Sequence, residues 1–215
     1  MPYKGTPQTI VKRLPVYLRA LENLILLDVD IVSSYRLSKE TGYTAEQIRK
    51  DLAFFGAFGT RGSGYEIIDL RDQLLKIMGL QQPRKVILIG AGQLGTALAR
   101  YTMANNPYVI LEGVFDKAPE VIGGEIMGKK VRDVLELPDF VVKTGVKLAI
   151  VTVPSREAED VIKLLVETGI NAILNFAPIS PKVPEGVHLQ NVDLTLELQS
   201  LIYHVTFRDQ EITEA

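Results

Sequence analysis

The chain has 215 residues, of which 47% are apolar and 23% charged, a balance typical of a globular protein with a buried core. It contains no cysteine, which excludes disulfides, cysteine-based metal sites and thiol nucleophiles and is usual in a reducing cytoplasm. The two histidines, His188 and His204, lack the spacing of metal ligands, and no apolar run reaches the roughly 18 residues of a membrane span. We therefore expect a cytoplasmic protein without a metal site, signal peptide or membrane segment.

The pattern of apolar residues changes between residues 80 and 84. Before this point the periodicity is helical, whereas after it short apolar runs alternate with helical stretches. Such alternation is typical of an α/β domain with a doubly wound, Rossmann-like parallel sheet. We predict an N-terminal domain over residues 1–80, a parallel-sheet domain over 81–192, and a C-terminal helix and tail over 193–215. The predicted strands are Val86–Ile89, Val109–Phe115, Leu148–Val153, Ala172–Leu174 and Val187–Gln190.

The N-terminal domain is predicted to contain short helices joined by tight turns. A first helix, capped at Thr6 and kinked or restarted at Pro15, extends to about Leu27. A second helix begins at a Ser34 cap and stops at Gly42. These two helices precede the segment in which we expect the functional residues of the domain.

A third helix is predicted to begin at a capping box formed by Thr44 and Gln47 and to run to about Phe55. A glycine-rich arm then leads into the strand-like segment Tyr65–Ile68, and the last helix of the domain ends at Gly79. Two short helices joined by a glycine turn and followed by a β arm have the outline of a winged helix-turn-helix domain.

The placement of charge in this domain is compatible with DNA binding. Gln47, Arg49 and Lys50 lie in the first two turns of the third helix, where a recognition helix contacts base edges and phosphates. Arg61 lies between glycines at the tip of the arm, which is thin enough for a minor groove. A solvated helix face beside a simple hairpin is the alternative, and the residue types alone leave the choice open.

The most specific motif of the chain is a glycine-rich turn that connects a predicted strand to a predicted helix. Its first glycine allows a tight turn, its second allows a pyrophosphate to approach the backbone, and its third allows close contact between helix and strand. The following helix, about Thr96–Met103, would present its N-terminal N–H groups to the phosphates. The motif consists of Gly90, Ala91, Gly92, Gln93, Leu94 and Gly95.

An acidic residue follows the second predicted strand of this domain. Asp116 stands 21 residues after Gly95, where a carboxylate accepts hydrogen bonds from ribose hydroxyls and repels a 2′-phosphate. NAD(H) is therefore favoured over NADP(H), although Lys117 beside it weakens that exclusion. A glycine turn without a ligand is the alternative interpretation.

Two further loops are expected at the same edge of the sheet, because the carboxyl ends of parallel strands line the ligand crevice. Their mostly apolar side chains penalise the cationic oxidised nicotinamide and favour NADH, with NAD+ competing. The region contains no His, Lys or Cys placed as a hydride-transfer acid or base, so we predict a binding site and no enzymatic activity. The loop residues are Thr152, Val153, Pro154, Asn175, Phe176, Ala177 and Pro178.

The C-terminal segment is predicted to be a helix with apolar residues on more than one side. Five apolar residues share one face, and three more widen the apolar surface. The first five are Leu194, Leu198, Leu201, Ile202 and Val205, and the other three are Leu196, Tyr203 and Phe207. A partner subunit would cover such a surface, and a helix packed back on its own domain is the alternative.

Taken together, these segments resemble the Rex family of bacterial redox-sensing transcriptional repressors. The matching segments occur in order across nearly the whole chain, and jointly they are highly specific. They are Arg13–Arg19, Gln47–Leu52, Phe55-Gly56, Gly59–Gly62, Gly64-Tyr65, Gly90–Gly95, Thr152–Pro154, Asn175–Pro178 and Asn191–Asp193.

The resemblance implies a winged-helix domain on a Rossmann domain, in a homodimer that exchanges its C-terminal helix. Such proteins bind a palindromic operator when NADH is scarce and release it when NADH binds. By this analogy Lys50 and its neighbours read the major groove, Arg61 and Gly62 enter the minor groove, and Arg13 contacts the DNA backbone.

The resemblance also implies an allosteric switch, in which Asp193 exchanges partners between Tyr101 and Arg19. A helix N-cap for Asp193 and a packed aromatic for Tyr101 are the alternatives. The chain departs from some relatives at Gln93, where they have a basic residue, and at Leu194, where they have an aromatic one. At these two positions the chain lacks the basic side chain for one phosphate contact and the aromatic ring for a stacking contact near the nicotinamide.

The sequence therefore predicts a cytoplasmic, homodimeric repressor that binds double-stranded operator DNA and responds to NADH. Three alternatives are an NAD-dependent dehydrogenase with a helical domain, a sensor of another nucleotide or of CoA, and a constitutive DNA-binding protein with a Rossmann scaffold. The dehydrogenase requires an acid or base near the nicotinamide, which the sequence does not supply.

Overall fold

The computed structural model describes residues 5–56, 58–59 and 64–213, the last seven of these by their backbone only. The chain forms two compact units, one ending at Gln82 and the other beginning at Pro83.

The N-terminal unit contains four helices and a two-stranded antiparallel sheet within the described residues. Helix α1 packs against both α2 and α4, and the leucines of these helices form much of the buried interior. The elements are α1 (Gln8–Ile25), β1 (Ile31–Val32), α2 (Ser34–Thr41), α3 (Ala45–Ala53), β2 (Tyr65–Glu66) and α4 (Ile67–Met78).

The start of this unit differs from the prediction in three respects. Pro7 rather than Thr6 is the N-cap of α1, and the helix continues through Pro15 without a restart. Pro15 is exposed, and the buried residues around it, among them Leu14 and Tyr17, hold the helix by tertiary packing despite the lost hydrogen bond. Helix α2 is capped by Ser33, whose hydroxyl accepts from the Arg36 N–H at 3.1 Å, and not by Ser34.

Other local predictions for this unit are confirmed. The Thr44 hydroxyl accepts from the Gln47 N–H at 3.1 Å at the start of α3, although that helix ends at Ala53. Gly42 and Gly79 follow α2 and α4 in the left-handed conformation, with φ of 73° and 68°. The strand predicted over residues 65–68 is shorter than expected. It ends at Glu66, because the next residue, Ile67, begins α4.

The second unit is built on a seven-stranded sheet in the order β5-β6-β4-β3-β7-β8-β9, parallel except for the β5–β6 pair. The strand order reverses direction at β3, which confirms the predicted doubly wound fold. Its elements are β3 (Arg84–Ile89), α5 (Gln93–Asn105), β4 (Val109–Asp116), β5 (Glu125–Ile126), β6 (Lys129–Asp133), α6 (Leu137–Thr144), β7 (Leu148–Val151), α7 (Ser155–Glu167), β8 (Ala172–Asn175), β9 (His188–Asn191) and α8 (Leu194–Thr213).

Strands β5 and β6 and helix α6 were not predicted. Of the five residues of β6, only Val131 is buried, so the apolar alternation that identifies a strand is missing there. Strand β3, by contrast, is buried on both faces. Val86 and Leu88 pack in one core cluster and Ile87 and Ile89 in the other, and this places the glycine-rich turn that follows β3 at the centre of the sheet edge.

Candidate functional site

The glycine-rich turn connects β3 to α5 at the point where the strand order reverses. Gly90 has φ of 101°, which favours glycine, and its N–H donates to the Phe115 carbonyl of β4 at 2.8 Å. Gly92 is the N-cap of α5 and has no side chain with which to occupy the N–H groups of the first turn. The turn therefore presents backbone donors and the positive end of the helix dipole to any anion outside the sheet edge.

The three glycines of the motif have different surroundings. A Cβ on Gly95 would overlap the Gly90 carbonyl oxygen, and a Cβ on Gly90 would lie 2.9 Å from the Thr152 backbone, so both are required by packing. A Cβ on Gly92 would meet no described atom within 4 Å. Gly92 therefore faces open space at the helix terminus, and this is the room a pyrophosphate needs.

Thr152 holds the glycine-rich turn from the neighbouring strand. Its hydroxyl lies 2.9 Å from the Gly90 carbonyl oxygen and 3.1 Å from that of Ile89, so the two acceptors share its single proton. Thr152 was predicted to line the nucleotide site. In the structure its side chain positions the turn that would bind the phosphates.

Asp116, at the end of β4, binds the glycine-rich turn through its carboxylate. One carboxylate oxygen accepts from the Ala91 N–H at 2.6 Å, and the second accepts from the Ala118 N–H at 2.9 Å. Each carboxylate oxygen can accept a further hydrogen bond, so the group is still able to receive ribose hydroxyls. Lys117 is exposed beside it, with its ammonium 3.1 Å from a Glu157 carboxylate oxygen.

The loop after β8 is shaped by a buried amide. Asn175 is fully buried, and its amide nitrogen donates to the Ala177 carbonyl at 3.0 Å and to the Asn191 side chain at 2.9 Å. Its side-chain oxygen accepts from the Ala177 N–H at 3.0 Å. Asn175 therefore folds the loop. Of the other predicted residues there, Pro178 is exposed and Phe176 packs on the sheet.

The predicted nucleotide residues thus converge on the carboxyl ends of β3, β4, β7 and β8. Gln93 and Leu94 are exposed in the first turn of α5, Val153 packs against the core, and Pro154 is the N-cap of α7. Among the residues that the structure describes, no cluster of acidic or histidine side chains could hold a metal ion.

In the N-terminal unit, α3 has one buried and one exposed face. Ile48 and Leu52 are buried, whereas Arg49 and Lys50 are exposed. Arg49 donates to the Ser34 hydroxyl of α2 at 2.8 Å, which joins the two helices. The predicted wing residues Arg61 and Gly62 lie outside the described residues.

The structure places Arg13 in an ion pair that the sequence did not predict. Asp51, on the buried face of α3 and 1% exposed, accepts from the Arg13 Nε at 2.5 Å and Nη2 at 2.8 Å. The Tyr17 hydroxyl donates to the same carboxylate at 2.6 Å, and the Gln47 amide approaches it at 3.5 Å. The helical spacing of the sequence could have indicated this ion pair, because it places the Asp51 carboxylate on the same helix face as the apolar Ile48 and Leu52. A contact of Arg13 with the DNA backbone stays a prediction.

This cluster shifts the proton affinities of its members. Burial alone raises the pKa of Asp51, but the hydrogen bonds from Arg13, Tyr17 and Gln47 outweigh it and hold that pKa below its usual value. Burial and donation to Asp51 raise the pKa of Tyr17. The cluster is therefore an ionised carboxylate beside a neutral phenol, and it joins α1 to α3.

The three predicted switch residues lie on different elements of the chain. Arg19 is exposed on α1, and Tyr101 is 72% exposed on α5. Asp193 accepts from the N–H groups of Thr195 at 2.9 Å and Leu196 at 3.4 Å at the start of α8. In this single chain Asp193 is thus a helix cap, while its part in a switch stays a prediction.

Helix α8 exposes the apolar surface that the sequence predicted. Seven of its large apolar side chains are each about three-fifths exposed, and no helix in the described part of the chain is long and apolar enough to span a membrane. These residues are Leu194, Leu196, Leu198, Leu201, Ile202, Tyr203 and Val205.

Comparison with known proteins finds matches to both units. Residues 5–53 match the family described as "Putative DNA-binding protein N-terminus", and residues 81–179 match the "CoA binding domain" family. The redox-sensing transcriptional repressor Rex of Natranaerobius thermophilus is 51% identical over 97% of this chain and 94% of its own length. The repressor of the same name from Clostridium perfringens is 40% identical over 96% of this chain and 97% of its own length.

Two solved structures are similar over almost their whole length. RSP, described as a Rex-family repressor, in complex with β-NAD+ and operator DNA has a TM-score of 0.89 at 39% identity and covers 97% of this chain and 96% of its own. RSP in complex with β-NADH has a TM-score of 0.86 at 37% identity and covers 99% of this chain and 100% of its own.

Proposed function

Because this chain belongs to the Rex family of redox-sensing transcriptional repressors, we propose that it represses transcription by binding palindromic operator DNA and is released when NADH binds. The observation that carries this proposal is the presence, in one chain, of a helix-turn-helix with exposed cations and an open glycine-rich turn at the switch point of a parallel sheet. Neither unit alone accounts for a redox-dependent repressor.

On the nucleotide side, the pyrophosphate binds the first turn of α5 above Gly92, where no Cβ obstructs it. Asp116 accepts the ribose hydroxyls, and the apolar loops after β7 and β8 receive the nicotinamide. NADH supplies a neutral ring and NAD+ a cationic one, so a dry apolar pocket favours NADH while NAD+ competes for the same site. Asn175 holds the loop after β8 in place, and Thr152 holds the glycine-rich turn.

On the DNA side, α3 presents Lys50 and Arg49 to the major groove, with Arg61 and Gly62 assigned to the minor groove. The exposed apolar surface of α8 supports a homodimer, whose two-fold axis would match a palindromic operator. NADH then acts by linkage, because it binds best to a dimer arrangement whose recognition helices no longer fit successive major grooves. A complete switch requires a preference of about 5 kcal/mol for the released state.

The same proposal includes a cytoplasmic location and the absence of catalysis. The relatives are transcriptional repressors, and the lining predicted for the nicotinamide is apolar apart from amide and hydroxyl groups that are used within the protein. The nucleotide serves as a signal and leaves unchanged.

Fluorescence anisotropy with a labelled palindromic DNA library at fixed salt tests the proposal, since phosphate contacts make affinity salt-dependent. We expect one palindrome to be selected, and NADH to release it far better than NAD+. CoA is included as a competitor because residues 81–179 match a CoA-binding family. Retention of no DNA by a chain that binds NADH would refute the repressor, and release by CoA in place of NADH would refute the redox role.

A further inference from the structure

The lysine that follows the ribose-binding carboxylate is paired with a glutamate from another loop. Lys117 stands at the carboxyl end of β4 directly after Asp116, and its side chain is 63% exposed. A lysine at this place is a ready partner for a phosphate on the ribose 2′-oxygen, and a free one would favour NADP(H). In the structure its ammonium lies 3.1 Å from a Glu157 carboxylate oxygen.

Glu157 is held in position from two directions. It lies in the first turn of α7, its side chain is only 16% exposed, and the same oxygen lies 3.3 Å from the Arg156 Nε. Glu157 is therefore a carboxylate mostly shielded from water, and one of its oxygens contacts both Lys117 and Arg156.

The pair also lies where a nucleotide would meet it. In the sheet, β3 separates β4 from β7, and β3 carries the glycine-rich turn. The Lys117–Glu157 contact joins the loop after β4 to the start of α7, which follows β7. The contact thus connects the two loops that flank the glycine-rich turn, on the side where Asp116 would bind the ribose.

We propose that Glu157 is a specificity-determining residue, which by pairing with Lys117 keeps the site selective for NAD(H) over NADP(H). This inference rests on the proposed function and adds to it. A 2′-phosphate carries between one and two negative charges at neutral pH. To bind Lys117 it must displace Glu157 and then remain close to two carboxylates, Glu157 and Asp116. An unphosphorylated ribose needs neither step.

Because the Lys117 end of the pair is open to water, the pair contributes little to stability. We therefore expect its effect on selectivity and not on folding. Titration of the full-length protein with NADH and NADPH, followed by nicotinamide fluorescence at fixed ionic strength, measures the ratio of the two dissociation constants. For Glu157→Gln we expect NADPH to gain about tenfold relative to NADH. Adding Lys117→Gln to this variant should remove the gain, and Glu159→Gln, an exposed residue of the same helix, is the matched control.

Three outcomes would overturn the proposal. They are equal affinity of the unaltered protein for NADPH and NADH, an unchanged ratio in Glu157→Gln, and a gain that persists when Lys117 is also replaced. Failure of the unaltered protein to bind either nucleotide would instead refute the proposed function itself, so the two failures are distinguishable. ADP-ribose and its 2′-phosphate, titrated by calorimetry, repeat the comparison without the nicotinamide.

Discussion

The ion pair between Arg13 and Asp51 joins α1 to α3 at a site that is largely shielded from water. In Asp51→Asn, one oxygen and an amide group replace a carboxylate that accepts two hydrogen bonds from Arg13 and one from Tyr17. The amide donors then face the Arg13 donors, and the guanidinium keeps a charge without a counterion at a site where its side chain is only 15% exposed. Removing one member of a buried pair costs about 3–5 kcal/mol. Partial access of Arg13 to water places this case near 3 kcal/mol, about a hundredfold in the opening equilibrium.

Native-state hydrogen exchange of the full chain, followed by mass spectrometry, measures this loss region by region. Peptides of α1 and α3 should lose protection about a hundredfold in Asp51→Asn. Peptides of α7, in the second unit, should keep their protection. Glu46→Gln, an exposed change on the same helix, is the matched control. The apolar triple variant Arg13→Met, Tyr17→Phe, Asp51→Leu should regain most of the protection, because it leaves no buried group unpaired. A loss in Asp51→Asn no larger than in the control would refute the reasoning.

The remaining predictions concern binding, coupling and acid stability. Gly92→Val should abolish the NADH response, because the valine side chain occupies the space where the pyrophosphate would bind. Operator affinity should be unchanged, because that side chain meets no other part of the protein, and loss of both would show that the change disrupts the fold. Lys50→Ala should weaken operator binding while NADH titrates normally. It should lower the slope of log affinity against log salt by about 1.8, because the dimer loses one cation from each subunit, and an unchanged slope would remove α3 from the interface. Asp193→Ala should bind both ligands but couple them poorly, whereas normal coupling would leave Asp193 a helix cap. Since the folded pKa of Asp51 is lowered, its stabilisation is complete above its unfolded value of about 3.9 and is lost as pH falls through the folded pKa. Exchange protection of α1 should therefore fall on acidification in the unaltered protein and less in the apolar triple variant.

The sequence by itself determined the elements whose signals are local. The apolar strands β3, β4, β7 and β8, the glycine-rich turn between Gly90 and Gly95, and the helix ends at Gly42 and Gly79 can be found this way. Each depends on backbone conformation or on burial periodicity, and these leave a pattern within a few residues. Asp116 could be identified in the same way, because it directly follows an apolar strand.

Features that depend on contacts between distant segments were decided only by the tertiary structure. Continuation of α1 through Pro15 follows from packing on other helices, which overrides the local cost of proline. Strand β6 has a single buried residue and is stabilised by pairing with β4, so its own sequence does not identify it.

The roles of individual side chains show the same division. Asn175 and Thr152 were predicted to face the nucleotide, yet their hydrogen bonds go to the loop and the turn that would hold it. The pairs Arg13–Asp51 and Lys117–Glu157 join residues 38 and 40 positions apart, and a charged side chain carries no mark of its partner in the sequence. Local sequence thus predicted which segments bind a nucleotide and DNA, whereas the folded contacts decided which of their side chains are paired within the protein.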